Sequence, residues 1–146
     1  MRLLFALLLT LPAMAAVPDC RSVSTEISRR LDAQLDIEQL SDTLSALNRD
    51  GQLPQRFVTK QAARAAGWQP GKPLDSIPAL KGKAIGGDRF GNYERLLPNG
   101  NWREADLDYR GGKRGPKRLV FEPVRDGHRY ITVNHYQQFT EIPPCR

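Results

Sequence analysis

Residues 101–109 read Asn-Trp-Arg-Glu-Ala-Asp-Leu-Asp-Tyr, and the glycines Gly111-Gly112 and the basic segment Arg114-Gly115-Pro116-Lys117-Arg118 follow closely. Side chains along an extended chain point alternately to its two faces, so Glu104, Asp106 and Asp108 are expected on one face and Ala105 and Leu107 on the other. Carboxylates in a row repel each other unless cations meet them. The basic segment after the glycine turn is placed to fold back as the neighbouring strand, bringing Arg114 and Arg118 to that acidic face as carboxylate–guanidinium pairs. A solvated, salt-bridged outer face is the plainer reading of the same pattern.

Outward from this run, the same period of two marks strands at 84–90, 117–122, 129–133 and 138–142, punctuated by Pro98-Asn99-Gly100, Gly111-Gly112 and Asp126-Gly127. N-terminal to them the period is helical. Ile27, Leu31, Leu35, Ile37, Leu40, Leu44 and Leu47 recur mostly in steps of three and four, with Asp36 placed to cap a second piece, so this is one helix or two, ended by Asn48-Arg49-Asp50-Gly51. Thr59 caps a short helix over 60–66 that Gly67 stops, and 70–83 is a Pro- and Gly-rich loop with one turn near 75–80. Helices first and strands after, joined too tightly for crossovers, give an α+β fold with a twisted antiparallel sheet of about five strands.

Residues 1–16 stand apart. Met1-Arg2, the apolar run from Leu3 to Leu11 and the A-x-A pattern in Pro12-Ala13-Met14-Ala15-Ala16 are those of a secretory signal peptide; a buried or anchoring helix is the alternative. The run falls short of the roughly 20 apolar residues of a membrane-spanning helix, so no membrane partner is expected. The chain is therefore read as secreted, either extracellular or periplasmic. In such a compartment Cys20 and Cys145 are the one pair available, and a disulfide between them is expected, two free thiols being the alternative. Two Cys and two His offer no metal-motif spacing, so neither metal nor cofactor is expected.

The 146 residues carry a formal net charge of +6. Residues 17–109 hold 13 basic and 13 acidic side chains, whereas 110–146 hold 8 basic and 3 acidic, so the excess lies in the last quarter and suits a polyanion. His135, in a loop between two strands with Tyr136 beside it, is a general-acid candidate, while His128 reads as surface. Gly86-Gly87 suggests a bulge, and Gly91-Asn92 a turn exposing backbone N–H groups that, with Glu94, would suit a base edge; an ordinary strand exit is the plainer reading.

Taken in order, Leu53-Pro54, Phe57-Val58-Thr59-Lys60, Ala66-Gly67-Trp68, Ile85-Gly86-Gly87-Asp88, Trp102-Arg103-Glu104-Ala105-Asp106 and His135-Tyr136 to Phe139-Thr140 resemble the barnase-like extracellular bacterial guanyl-specific ribonucleases over about residues 53–142. Beyond the 1–16 leader, the resemblance implies a 17–50 helical extension and a 51–146 ribonuclease domain. It implies cleavage of single-stranded RNA after guanosine through a 2′,3′-cyclic phosphate, with Glu104 as general base and His135 as general acid. Lys60, Arg114 and Arg118 would hold the scissile phosphate with Tyr136 alongside, Asp106 would fix the two arginines, and Asn92 and Glu94, supported by Phe90, would read guanine. A monomer and a small acidic inhibitor of the barstar type are also implied. Tyr93 and Gly91 depart from the Arg and the Ser or Gln usual there, which implies a looser guanine loop, and the 122–125 turn is about two residues longer than the family's matching hairpin turn. A non-catalytic RNA- or polyanion-binding module and an antibacterial ribonuclease toxin with its own immunity protein are the alternative functions.

Overall fold

Two capped helices open the fold in a computed structural model that describes residues 3–9 and 16–146. The Asp19 carboxylate accepts from Ser22 N at 2.8 Å and starts α1 (Cys20–Leu31), which Asp32 ends in the left-handed region at φ 47°. Asp36 then accepts from Gln39 N at 3.1 Å and starts α2 (Ile37–Asp50), which Gly51 closes at φ 77°. The apolar stripe thus belongs to two helices. The Met1-Arg2 start and positions 10–15 of the expected leader, with its cleavage pattern, lie outside the described residues. Leu3 to Leu9 carry no helix or strand and are exposed. No helix among the described residues is long and apolar enough to cross a membrane.

Next come β1 (Phe57–Val58), α3 (Lys60–Ala65), two single 3₁₀ turns at Leu74–Ser76 and Pro78–Leu80, and then the strands β2 (Ala84–Phe90), β3 (Trp102–Asp106), β4 (Arg118–Phe121), β5 (Arg129–Thr132) and β6 (Thr140–Ile142). Thr59 caps α3 by accepting from Ala62 N at 3.1 Å. The sheet runs β1-β2-β3-β4-β5-β6 in sequence order, antiparallel throughout except for the parallel β1–β2 pair. The α+β class therefore holds with one more strand than expected. At two residues, β1 is too short to show a period. The bulge expected at Gly86-Gly87 is there: register shifts between Gly86 and Asp88, Gly87 has φ 103°, and a Cβ on Gly86 would lie 2.6 Å from the Phe57 ring.

The sheet divides the apolar residues between two sides. Val23, Ile27, Leu40, Leu44 and Leu47 of the helices pack on Ala105, Leu119, Phe121, Ile131 and Ile142. The other face carries Trp102 and Val120 with Phe90, Tyr130 and Tyr136 packed against them, and it is this face that bears the candidate site. The Cys20–Cys145 disulfide joins α1 to the segment after β6, and beside it Cys20 N donates to Arg146 O and Arg146 N to Pro18 O, both at 3.0 Å.

Arg129 is one of the eight C-terminal basic residues but is only 3% exposed. Its guanidinium donates to Leu47 O at 3.1 Å, to Val124 O at 2.7 Å and to Asn48 Oδ1 at 3.1 Å, tying the end of α2 to the β4–β5 turn. Burial lowers its pKa, against the opposing pull of Glu122 and Asp126. Lys117 pairs with Asp108, and Arg114 and Arg118 with Asp106. The basic excess of the last quarter is therefore largely partnered within the fold rather than spread as one open field.

Candidate active site

A cavity of about 430 Å³ opens on the sheet face opposite α1 and α2. Glu104 reaches it from β3 and Arg118 from β4, on adjacent strands whose register sets Glu104 against Val120 and Asp106 against Arg118. Lys60 comes from the first residue of α3, held to the sheet where its backbone N–H donates to Asp88 Oδ2 at 3.0 Å. Phe90 ends β2, Asn92 and Glu94 follow it, Arg114 lies between β3 and β4, and His135 and Tyr136 lie between β5 and β6. Every catalytic and substrate-binding residue expected from the sequence lines this one cavity.

The three carboxylates of the deciding strand do not stay together. Glu104 and Asp106 share a face, but β3 ends at Asp106 and Asp108 turns away at φ 56°, to accept from Lys117 Nζ at 3.0 Å and from Asp36 N at 2.9 Å. The strand expected to run to residue 109 is therefore shorter. Asp106 is 4% exposed and flanked by two arginines. Arg114 binds it in a fork, Nε to Oδ2 at 2.6 Å and Nη2 to Oδ1 at 2.8 Å, and this hydrogen bonding raises the arginine pKa despite burial. Arg118 Nε lies 3.1 Å from Asp106 Oδ1, within ion-pair range, yet its hydrogen is not aimed at that oxygen and has no acceptor among the described residues. The Arg118 guanidinium is steered instead by Gly115 O at 2.6 Å and Lys117 O at 2.8 Å.

Among the described residues no guanidinium fork meets Glu104. Its Oε2 accepts from the Tyr136 hydroxyl at 3.0 Å. Burial and then the Glu104 charge push the Tyr136 pKa from 10.0 up to about 12, Arg118 pulling the other way. The phenol therefore keeps its proton at neutral pH and donates a hydrogen bond. Because the folded protein holds this proton more tightly than the unfolded chain, its contribution to stability is complete below pH 10 and is lost as pH rises towards about 12. In an absorbance titration of the phenolates, Tyr136→Phe is expected to remove the last component to ionise. An unchanged late phase in that variant would place the buried phenol elsewhere.

The loop bearing His135 and Tyr136 is built from left-handed backbone, φ 54° and 71° in succession. Asn134 Oδ1 accepts from Thr132 Oγ1 and Gln138 N, Thr132 Oγ1 accepts from Tyr136 N, and Pro116 O accepts from His135 N, each at 3.1 Å. The Tyr136 ring stacks on Phe90, centroids 5.3 Å apart, and the His135 ring lies 4.8 Å from Tyr136. His128 is exposed in its turn, with Nδ1 3.0 Å from Glu141 Oε1.

Asn92, at φ 50°, does not offer its side chain to the cavity. Its amide donates to Leu97 O at 2.8 Å, and its carbonyl accepts from Leu97 N at 3.1 Å, bracing the loop from within. Tyr93 is 93% exposed, and its ring lies over Gly91, where a Cβ would collide with it. The two unusual residues of this loop thus fit each other. Asp88, Phe139 and the buried Thr132 also shape the site; the sequence assigned none of them a role, because their roles come from register and loop closure rather than from local spacing.

A carboxylate and an imidazole facing one cavity, among cations fixed by a buried aspartate, make an acid–base site suited to an anionic ligand. A family model described as ribonuclease matches residues 41–143, and the chain belongs to the ribonuclease family. It is 42% identical over 93 residues to a ribonuclease of Bacillus intermedius and to one of Bacillus pumilus, covering 62% of this chain and 56% of each relative. A ribonuclease of Heyndrickxia coagulans is 41% identical over 93 residues, which span 83% of that protein. The chain thus spans about half the length of the two Bacillus relatives. All of α1 precedes the matched span.

Proposed function

We propose that the protein is an endoribonuclease that needs no metal and cleaves single-stranded RNA after guanosine. One observation carries this reading: the carboxylate of Glu104, the imidazole of His135 and the cations of Lys60, Arg114 and Arg118 all face one cavity. In the first step Glu104 takes the proton of the ribose 2′-OH, the 2′-oxygen bonds to phosphorus, the bond to the 5′-oxygen breaks, and protonated His135 gives its proton to that oxygen. In the second step His135 takes a proton from water, the water oxygen bonds to phosphorus, and Glu104 returns its proton to the departing 2′-oxygen. The cations offset the charge that builds on the phosphoryl oxygens. A required 2′-OH makes RNA the substrate. Because the Asn92 side chain is used within its own loop, guanine would be read by backbone N–H groups and Glu94, with Phe90 and Tyr136 forming the apolar wall.

The disulfide and the leader pattern support secretion. The basic cavity suits a small acidic inhibitor of the barstar type, and the enzyme is proposed to act as a monomer. The test is to incubate EDTA-treated protein with GpA, CpA and the 2′-deoxy analogue of GpA and to weigh the products. Cyclic guanosine phosphate from GpA, slower cleavage of CpA and an intact deoxy analogue are expected. Equal cleavage of GpA and CpA would remove the guanine reading. No cleavage by folded protein would favour a binding module instead.

A further inference from the structure

Three consecutive carbonyls, those of Gly115, Pro116 and Lys117, hold two of the groups to which the reaction is assigned. Gly115 O and Lys117 O accept from the Arg118 guanidinium, and Pro116 O accepts from the backbone N–H of His135. The segment precedes β4 and contains no helix or strand of its own. Lys117 O also accepts from Leu107 N at 3.1 Å, just past the end of β3.

The Lys117 side chain reaches away from the cavity to the turn between α1 and α2. Its Nζ donates to Gln34 O at 2.5 Å and to Asp108 Oδ2 at 3.0 Å, while Asp108 Oδ1 accepts from Asp36 N at 2.9 Å. Asp108 and Lys117 are both largely shielded, with side chains 16% and 26% exposed. The two charges are therefore bonded to each other and to two backbone groups of one turn, a closed polar cluster rather than a loose surface pair.

We propose that Lys117 and Asp108 are positioning residues. They clamp the 115–117 segment to the turn that follows α1, and through its carbonyls they set the Arg118 guanidinium and the His135 loop. Neither residue faces the cavity or touches substrate. The helical element that lies ahead of the family match thereby acts on the reaction through the end of α1. This rests on the ribonuclease reading given above. A group that must meet the phosphoryl oxygens at one geometry loses rate when its support shifts by about an ångström, with losses of up to about 100-fold.

The test compares Lys117→Ala, Asp108→Asn and Lys117→Arg in the full chain, each with its disulfide intact and a cooperative melt. Asp108→Asn suits the left-handed backbone and keeps an acceptor for Asp36 N while removing the charge. For GpA, Lys117→Ala is expected to lower kcat by about tenfold or more with KM changed less than about twofold, Asp108→Asn by less, and Lys117→Arg to recover most of the loss. A second readout needs no catalysis: amide exchange at His135 is expected to speed up at least tenfold in Lys117→Ala relative to the core amides of β4. Unchanged kcat, a loss confined to KM, or no recovery with arginine overturns the proposal, as does unchanged His135 exchange. If the unaltered protein does not cleave GpA, the ribonuclease reading fails and the exchange result alone decides the tether. If Lys117→Ala does not fold, Asp108→Asn decides by both readouts.

Discussion

Glu104→Ala is expected to lower GpA transphosphorylation by about 10²- to 10⁴-fold, the usual contribution of a well-placed general base, while affinity for the uncleavable deoxy analogue stays within a few-fold. The cavity distinguishes this carboxylate from its neighbours. Asp106 is occupied by the two arginines, Asp88 by the backbone of Lys60, and Asp108 by Lys117 and Asp36 N. Among the described residues, the hydrogen-bond partner of Glu104 is a phenol that donates to it and does not neutralise it. The Tyr136 hydroxyl therefore holds the carboxylate in the cavity without a counter-charge of its own. Turnover within tenfold of the unaltered protein would take the role of base away from Glu104.

Replacing Cys20 and Cys145 together with serine is expected to give the largest loss of stability. The bridge spans a sequence separation of 125 residues. Closing a loop of that size removes about 4–5 kcal/mol of unfolded-chain entropy, which for a domain of this length is a fall of about 15 °C in melting temperature. The paired backbone bonds of Cys20 and Arg146 and the apolar packing of α1 would remain, so the variant should fold at room temperature and still cleave GpA. A melting temperature within a few degrees of the parent, or an intact mass showing two thiols in the parent, would overturn this.

Much of the fold was legible because two periods divide the chain at Lys83. The stripe from Ile27 to Leu47 and the alternation after residue 84 both come from side chains that must reach one core. The break between α1 and α2 was left open by the stripe and is set by Asp32 and Asp36, one ending a helix and the other starting the next. The strand β1 escaped because its place depends on a parallel pairing with β2 and on the bare Gly86 that admits the Phe57 ring. Around the site, Glu104 and Arg118 were visible from strand spacing, and His135 from its loop. Alternation groups Asp108 with Glu104 and Asp106 because it assumes that the strand continues, whereas the chain turns left-handed at Asp108. The Lys117–Gln34 contact joins residues 83 positions apart, and no local pattern carries such information.

The backbone at His135 and Tyr136 sets durability against the chemistry proposed for this site. Histidine tolerates the left-handed region fairly well, but a ring as large as that of Tyr136 at φ 71° sits there at a cost of roughly 1–3 kcal/mol. Glycine at that place would relax the chain and delete the phenol that aims Glu104. Selection for heat resistance alone would therefore erode this turn first, and selection for rate would restore it. The ring's stack on Phe90 and the Thr132–Asn134 bracket keep the strained residue in place, so two successive left-handed residues carry the imidazole and the phenol that the proposed mechanism uses.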